Sequence, residues 1–62
     1  MHSLEQEIEL IQRGFRDGGL SQEERDHLLT EIRDIRVAVE CAEDEVLARK
    51  IMQACDIAMS IV

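Results

Sequence analysis

The first helical pattern of the chain covers about residues 4 to 17. Its four apolar positions are Leu4, Ile8, Ile11 and Phe15. Their spacings of four, three and four residues place them on one face of a helix. The preceding S-L-E-Q matches a capping box, in which Ser3 and Gln6 each hydrogen-bond the backbone N–H of the other. Gly18 and Gly19 follow, and one of them suits the left-handed position that ends many helices.

A second helical pattern begins after Ser21, where S-Q-E-E again matches a capping box, with Glu24 as its acidic member. The apolar positions that follow form a narrow seam: Leu28, Ile32, Ile35, Val39, Ala42 and Val46. Spacings of four and three alternate along this seam, which is typical of coiled-coil-like packing. Leu29 and Val37 lie off this seam.

The seam is replaced after Val46 by a series that starts one residue out of phase: Leu47, Ile51, Ala54, Ala58 and Ile61. A straight helix does not absorb such a shift. The acidic run over residues 43–45 also suits the N-terminus of a new helix. We therefore expect a break or sharp bend near residues 41–45. The alternative is one helix over residues 22–62, because no Gly or Pro lies after Leu20.

These patterns predict one all-α domain over residues 1–62. The chain has 62 residues, which is enough for a single small domain. A short N-terminal helix is followed by two longer antiparallel helices, which makes a helical hairpin or a small three-helix bundle. A core of this size gives little stability, so small chains often gain stability from a partner.

The last helix carries a second apolar stripe, about 100° around the helix from the first. Its members are Ala48, Met52, Cys55, Met59 and Val62. One stripe is enough to pack against the second helix, which leaves two interpretations of the other stripe. Either the N-terminal helix covers it in a three-helix bundle, or a partner does. We favour the partner, and these five residues are our predicted partner-binding surface.

The charge balance argues against nucleic acid and membrane surfaces as partners. Fourteen acidic residues stand against seven basic ones, a formal net charge of −7, and an acidic surface repels phosphates and anionic lipids. The apolar C-terminal segment is interrupted by charged residues and is too short to span a bilayer. No signal-peptide pattern opens the chain, so we expect a cytoplasmic protein with Cys41 and Cys55 reduced.

Candidate catalytic and metal-binding groups are few. His2, His27, Cys41 and Cys55 show neither a C-x-x-C nor an H-x-x-x-H spacing, so we predict no metal site and no cofactor. The acidic run at residues 43–45 does not have the spacing of an EF-hand loop. No nucleophile and base are paired by sequence, so we expect a protein that is not an enzyme.

The order of these segments resembles a known family, the small co-chaperones of the type III secretion needle subunit. The resemblance is carried by the opening MHSLEQEIEL, with Met1, Leu4 and Glu5 in the pattern M-x-x-L-E, and by the C-terminal QACDIAMSIV. A short first helix followed by two longer helices is also similar to this family. The resemblance covers most of the chain.

The resemblance implies a cytoplasmic, non-enzymatic co-chaperone. Such proteins dock on a larger helical-repeat chaperone, and the pair keeps the needle subunit soluble and monomeric. The partners implied are therefore that chaperone, the needle subunit, or both. The alternative from the sequence is a homodimeric helical adaptor or regulator of plasmid or phage type.

Overall fold

The computed structural model describes residues 3–61, and Met1, His2 and Val62 lie outside the described residues. The elements in chain order are α1 (Leu4–Arg16), α2 (Gln22–Glu31), a π-helical segment (Ile32–Arg36), α3 (Val37–Glu40) and α4 (Glu45–Ser60). We call residues 22–40 the central helix, because α2, the π segment and α3 follow one another without interruption. The described residues thus form three helical rods and no strand, which confirms the all-α prediction.

The two predicted capping boxes are present at the N-termini of α1 and α2. The Ser3 hydroxyl accepts a hydrogen bond from the Gln6 backbone N–H at 3.2 Å, and the Gln6 side chain accepts from the Ser3 backbone N–H at 2.9 Å. Ser21 and Glu24 repeat this arrangement at 3.1 and 3.0 Å. At the other end of α1, Gly18 has a φ of +84°, the left-handed conformation expected there.

The capping box at Ser21 predicts a specific pH dependence of stability. Hydrogen bonds from Ser21, above all from its backbone N–H, lower the pKa of the Glu24 carboxyl below its ordinary value of 4.5. The stability that this box contributes is therefore present above pH 4.5 and is lost as the pH falls through the lowered pKa. We expect Glu24→Gln to keep the box, as Gln6 does in α1, and to lose less stability on acidification.

Thermal unfolding followed by circular dichroism at neutral and acidic pH measures this difference. Glu23→Gln is the matched control, because it removes a charge from the same helical turn without touching the capping box. An equal response of the two variants to acid would contradict the prediction.

The break predicted near residues 41–45 is confirmed. α3 ends at Glu40, residues 41–44 form a turn, and α4 begins at Glu45. The Asp44 carboxylate caps the new helix, accepting a hydrogen bond from the Leu47 backbone N–H at 3.0 Å. The alternative of one helix through residue 62 is excluded by this turn.

The predicted seam of the central helix is wrong after Ile32. Ile35 and Val39 are 60 % and 74 % exposed, and Ala42 and Val46 are exposed as well. The π segment is the physical reason. The Val37 backbone N–H donates to the carbonyl of Ile32, five residues earlier, so this turn holds one extra residue and the following side chains change face.

The core therefore uses a different line of side chains from the one predicted. Leu29 and Val37, which the pattern left outside the seam, are buried. The buried apolar residues are Leu4, Ile8, Leu29, Ile32, Val37, Cys41, Ile51, Cys55 and Ala58. They come from all three rods, so the chain encloses its own small core.

The contacts between rods give their directions. The carboxylate of Asp56 in α4 accepts from Arg33 in the central helix at 2.7 Å. Arg25, near the start of the central helix, contacts residues at the C-terminal end of α4. The central helix and α4 are therefore antiparallel, as predicted. The 2.5 Å ion pair of Glu7 and Arg36 similarly places the start of α1 beside the end of the central helix.

Arg25 is the one buried charged residue among those described, with 1 % of its surface exposed. Its guanidinium donates to the carbonyl oxygens of Met59, at 3.2 Å, and Ile61, near the C-terminal end of α4. It also donates to Asp26 at 2.9 Å and lies 4.2 Å from the centre of the Phe15 ring. A cation at a helix C-terminus is favourable. Because Arg25 lies in the central helix and contacts both the end of α4 and Phe15 of α1, it connects all three helices.

Candidate interaction surface

α4 packs against both other helices, and each of its apolar stripes has a covering helix. Leu4 of α1 borders a depression shared with Leu47 and Ile51 of the first stripe. The Thr30 hydroxyl of the central helix lies 3.5 Å from the sulfur of Met59 in the second stripe. The chain is thus a three-helix bundle, but the central helix covers the second stripe, which the sequence alternative assigned to the N-terminal helix.

The five predicted partner-binding residues are divided by this packing. Cys55 is completely buried in the core, which corrects the prediction that it faces outward. Ala48 and Met59 are partly buried against the same core, and Val62 lies outside the described residues. Met52 remains 42 % exposed. The central helix covers most of this stripe. The sequence pattern did not predict this, because it gave the wrong register for the central helix.

A different apolar surface is left open. The described large hydrophobic residues that stay exposed are Leu10, Ile35, Val39, Val46, Met52, Ile57 and Ile61. They are spread over all three rods, although the core beneath them is already closed. Exposed apolar side chains are common singly, so their arrangement decides whether they form a surface.

A depression lies between α1 and the central helix, and we call it the α1–central groove. It encloses about 280 Å³. Its apolar side chains are Leu10, Ile11, Leu28 and Ile32, and its charged side chains are Glu7, Glu31 and Arg36. The sequence missed this groove because it forms only when two helices are assembled. The apolar Leu10, off the main face of α1, was the one local signal.

Acidic side chains outnumber basic ones around the groove. Arg36 donates to Glu7 at 2.5 Å and to Glu40 at 2.6 Å. These hydrogen bonds, the one to Glu40 first, raise the pKa of the Arg36 guanidinium, which therefore stays charged. The lining of the groove itself holds two acidic residues, Glu7 and Glu31, and one basic residue, Arg36. The groove is therefore apolar inside and acidic at its margin.

Comparisons of the chain with protein-family models, with curated proteins and with solved structures find no match. The likeness to type III secretion co-chaperones therefore stays a resemblance of sequence pattern.

Residues 3–61 contain no group of three or more His, Cys, Asp or Glu side chains that could hold a metal ion. Cys41 and Cys55 are buried free thiols. Burial raises the pKa of the Cys55 thiol, which favours its protonated form. In the same range, no helix combines the length and apolar character that crossing a membrane requires.

Proposed function

We propose that the protein is a non-enzymatic interaction module that docks on a helical partner. The observation that carries this proposal is the set of large aliphatic side chains that remain exposed on a chain with a closed core. In a 62-residue protein this surface is costly to leave in water. Docking stabilises such a small domain, because a partner that binds the folded form shifts the folding equilibrium.

The more specific form of the proposal is a type III secretion co-chaperone. In this role the protein docks on a helical-repeat chaperone in the cytoplasm, and the pair keeps the needle subunit soluble. The support is the sequence resemblance at Met1, Leu4, Glu5 and the C-terminal segment, together with the small all-α fold. The exposed apolar side chains supply a surface of the kind that such docking needs.

A homodimeric adaptor is the competing proposal, and charge argues against it. Two copies bring together two chains that each carry a formal net charge of −7. Like charges at an interface oppose association. We therefore expect the isolated protein to be monomeric.

Light scattering on the purified protein, followed by mixing with a purified type III helical-repeat chaperone and needle subunit, tests the proposal. We expect a mass near 7.1 kDa for the protein alone and a defined complex after mixing. A stable homodimer that binds neither protein would support the adaptor instead. A monomer that binds neither protein would refute the co-chaperone role.

A further inference from the structure

We propose that the α1–central groove is the docking site and that it receives a basic amphipathic helix. This helix would carry an apolar seam flanked by lysine and arginine side chains. The inference rests on the proposed interaction function and adds to it the surface and the chemistry of the partner.

Apolar side chains from two helices line the groove. Leu10, 53 % exposed, and the half-buried Leu28 stand on opposite sides of it. Ile11 and Ile32 complete its apolar lining. A third helix could therefore contact apolar side chains of both α1 and the central helix here.

The shape of the site suits a helix. A volume of about 280 Å³ lies at the lower edge of the range of roughly 300–1,000 Å³ that is typical of small-molecule pockets. A shallow channel between two helices instead suits the side chains of a third helix, which anchor at positions i, i+3 or i+4, and i+7. The site is therefore better matched to a helix than to a small ligand.

The charge of the groove favours a basic partner. Glu7 and Glu31 line the groove beside a single basic residue, Arg36, and the chain as a whole carries a formal net charge of −7. Glu24 lies one helical turn before Leu28 and adds a further carboxylate on the central helix. A partner with basic residues beside its apolar seam meets opposite charges here, whereas a second copy of this acidic chain meets its own sign.

The outward face of α4 is the weaker candidate. Val46 and Ile57 are exposed there, but they lie three helical turns apart. The residues that separate them on this face are polar or basic: Arg49, Lys50 and Gln53. These two isolated apolar side chains therefore provide a control for the groove.

Tryptophan fluorescence of a synthetic peptide provides the binding assay, because the protein itself contains neither Trp nor Tyr. The probe is an amphipathic peptide of about 18 residues, or five helical turns, with one Trp in its apolar seam and Lys at the flanking positions. A second peptide has the same seam and Glu at those positions. We expect the basic peptide to bind at least about tenfold more tightly and to lose affinity as salt is raised.

Three variants locate the site. Leu10→Asp and Ile57→Asp place the same charge at positions that are 53 % and 58 % exposed, so they form a matched pair. We expect Leu10→Asp to weaken binding of the basic peptide by about tenfold or more, because an apolar side chain that lines the groove is lost. Ile57→Asp should leave it unchanged. Glu31→Lys should weaken the basic peptide and strengthen the acidic one, which loss of folding would not do.

The outcomes separate this inference from the proposed function. Equal binding of the two peptides, or an equal effect of Leu10→Asp and Ile57→Asp, would overturn the inference. So would a failure of both peptides to bind. If the protein nevertheless forms the complex with a helical-repeat chaperone, the interaction function stands and only the groove is wrong.

Discussion

Arg25→Ala is expected to destabilise the protein by about 3–5 kcal/mol, because it removes a buried cation that joins three helices. The carbonyl oxygens of Met59 and Ile61 lose their donor, and the space beside the Phe15 ring is emptied. Small domains have stabilities at the low end of the usual range of roughly 5–15 kcal/mol. We therefore expect most of the helical circular dichroism to be lost near room temperature, or at much lower urea than in the wild type.

Two further variants show whether the guanidinium geometry is responsible. Arg25→Lys keeps the charge but lacks the planar group that reaches two carbonyls, so its loss of stability should be intermediate. Arg13→Ala is the control, because Arg13 is exposed and forms only an i,i+4 pair with Glu9. That pair is worth less than about 0.5 kcal/mol. Equal urea midpoints for Arg25→Ala and Arg13→Ala would show that Arg25 is not buried as described.

Leu29→Ala is expected to cost about 2–5 kcal/mol, the usual effect of truncating a buried aliphatic side chain. Leu29 has no exposed surface, whereas Ile35 is largely exposed. Ile35→Ala should therefore change the free energy of unfolding by less than about 0.5 kcal/mol. The unfolding free energies of both variants, measured in urea, test the register of the central helix.

An uninterrupted α-helix predicts the opposite result, in which Ile35→Ala costs more stability than Leu29→Ala. Without the extra residue in the π turn, the sequence pattern places Ile35 in the packing seam and Leu29 outside it. A large loss for Ile35→Ala with a small loss for Leu29→Ala would contradict the π segment.

The parts of the fold that the sequence predicts are those set by local chemistry. The capping boxes at Ser3 and Ser21 depend on side chains three residues apart, so the pattern alone identifies them. The left-handed Gly18 is likewise a local signal. The turn at residues 41–44 could be predicted because the apolar phase changes there and acids stand where a new helix begins.

The register of the central helix could not be predicted, because its sequence supports two apolar series. Leu28, Ile35 and Val39 fit a regular α-helix, while Leu29 and Val37 fit only a helix with one extra residue. Burial against α1 and α4 decides between them, and that is a property of the assembled bundle. The wrong register of the central helix also made the prediction for α4 wrong. The central helix was not expected to cover the second stripe of α4, so that stripe was predicted to bind a partner.

Arg25 and the α1–central groove were missed for a related reason. A charged residue is ordinarily expected on the surface. Arg25 is buried because the carbonyls at the end of α4 and the Phe15 ring surround it, and neither is near it in sequence. The groove similarly needs Leu10 and Leu28 to be brought together from two helices.

Methyl-resolved NMR of the isotope-labelled protein, titrated with the basic amphipathic peptide, tests the central claim most directly. That claim is that the apolar, acid-edged groove between α1 and the central helix is where the protein docks its partner. We predict that the methyl signals of Leu10, Ile11 and Leu28 shift on binding, while that of Ile57 does not. Shifts concentrated at Met52 of α4, with the groove methyls unchanged, would contradict the account.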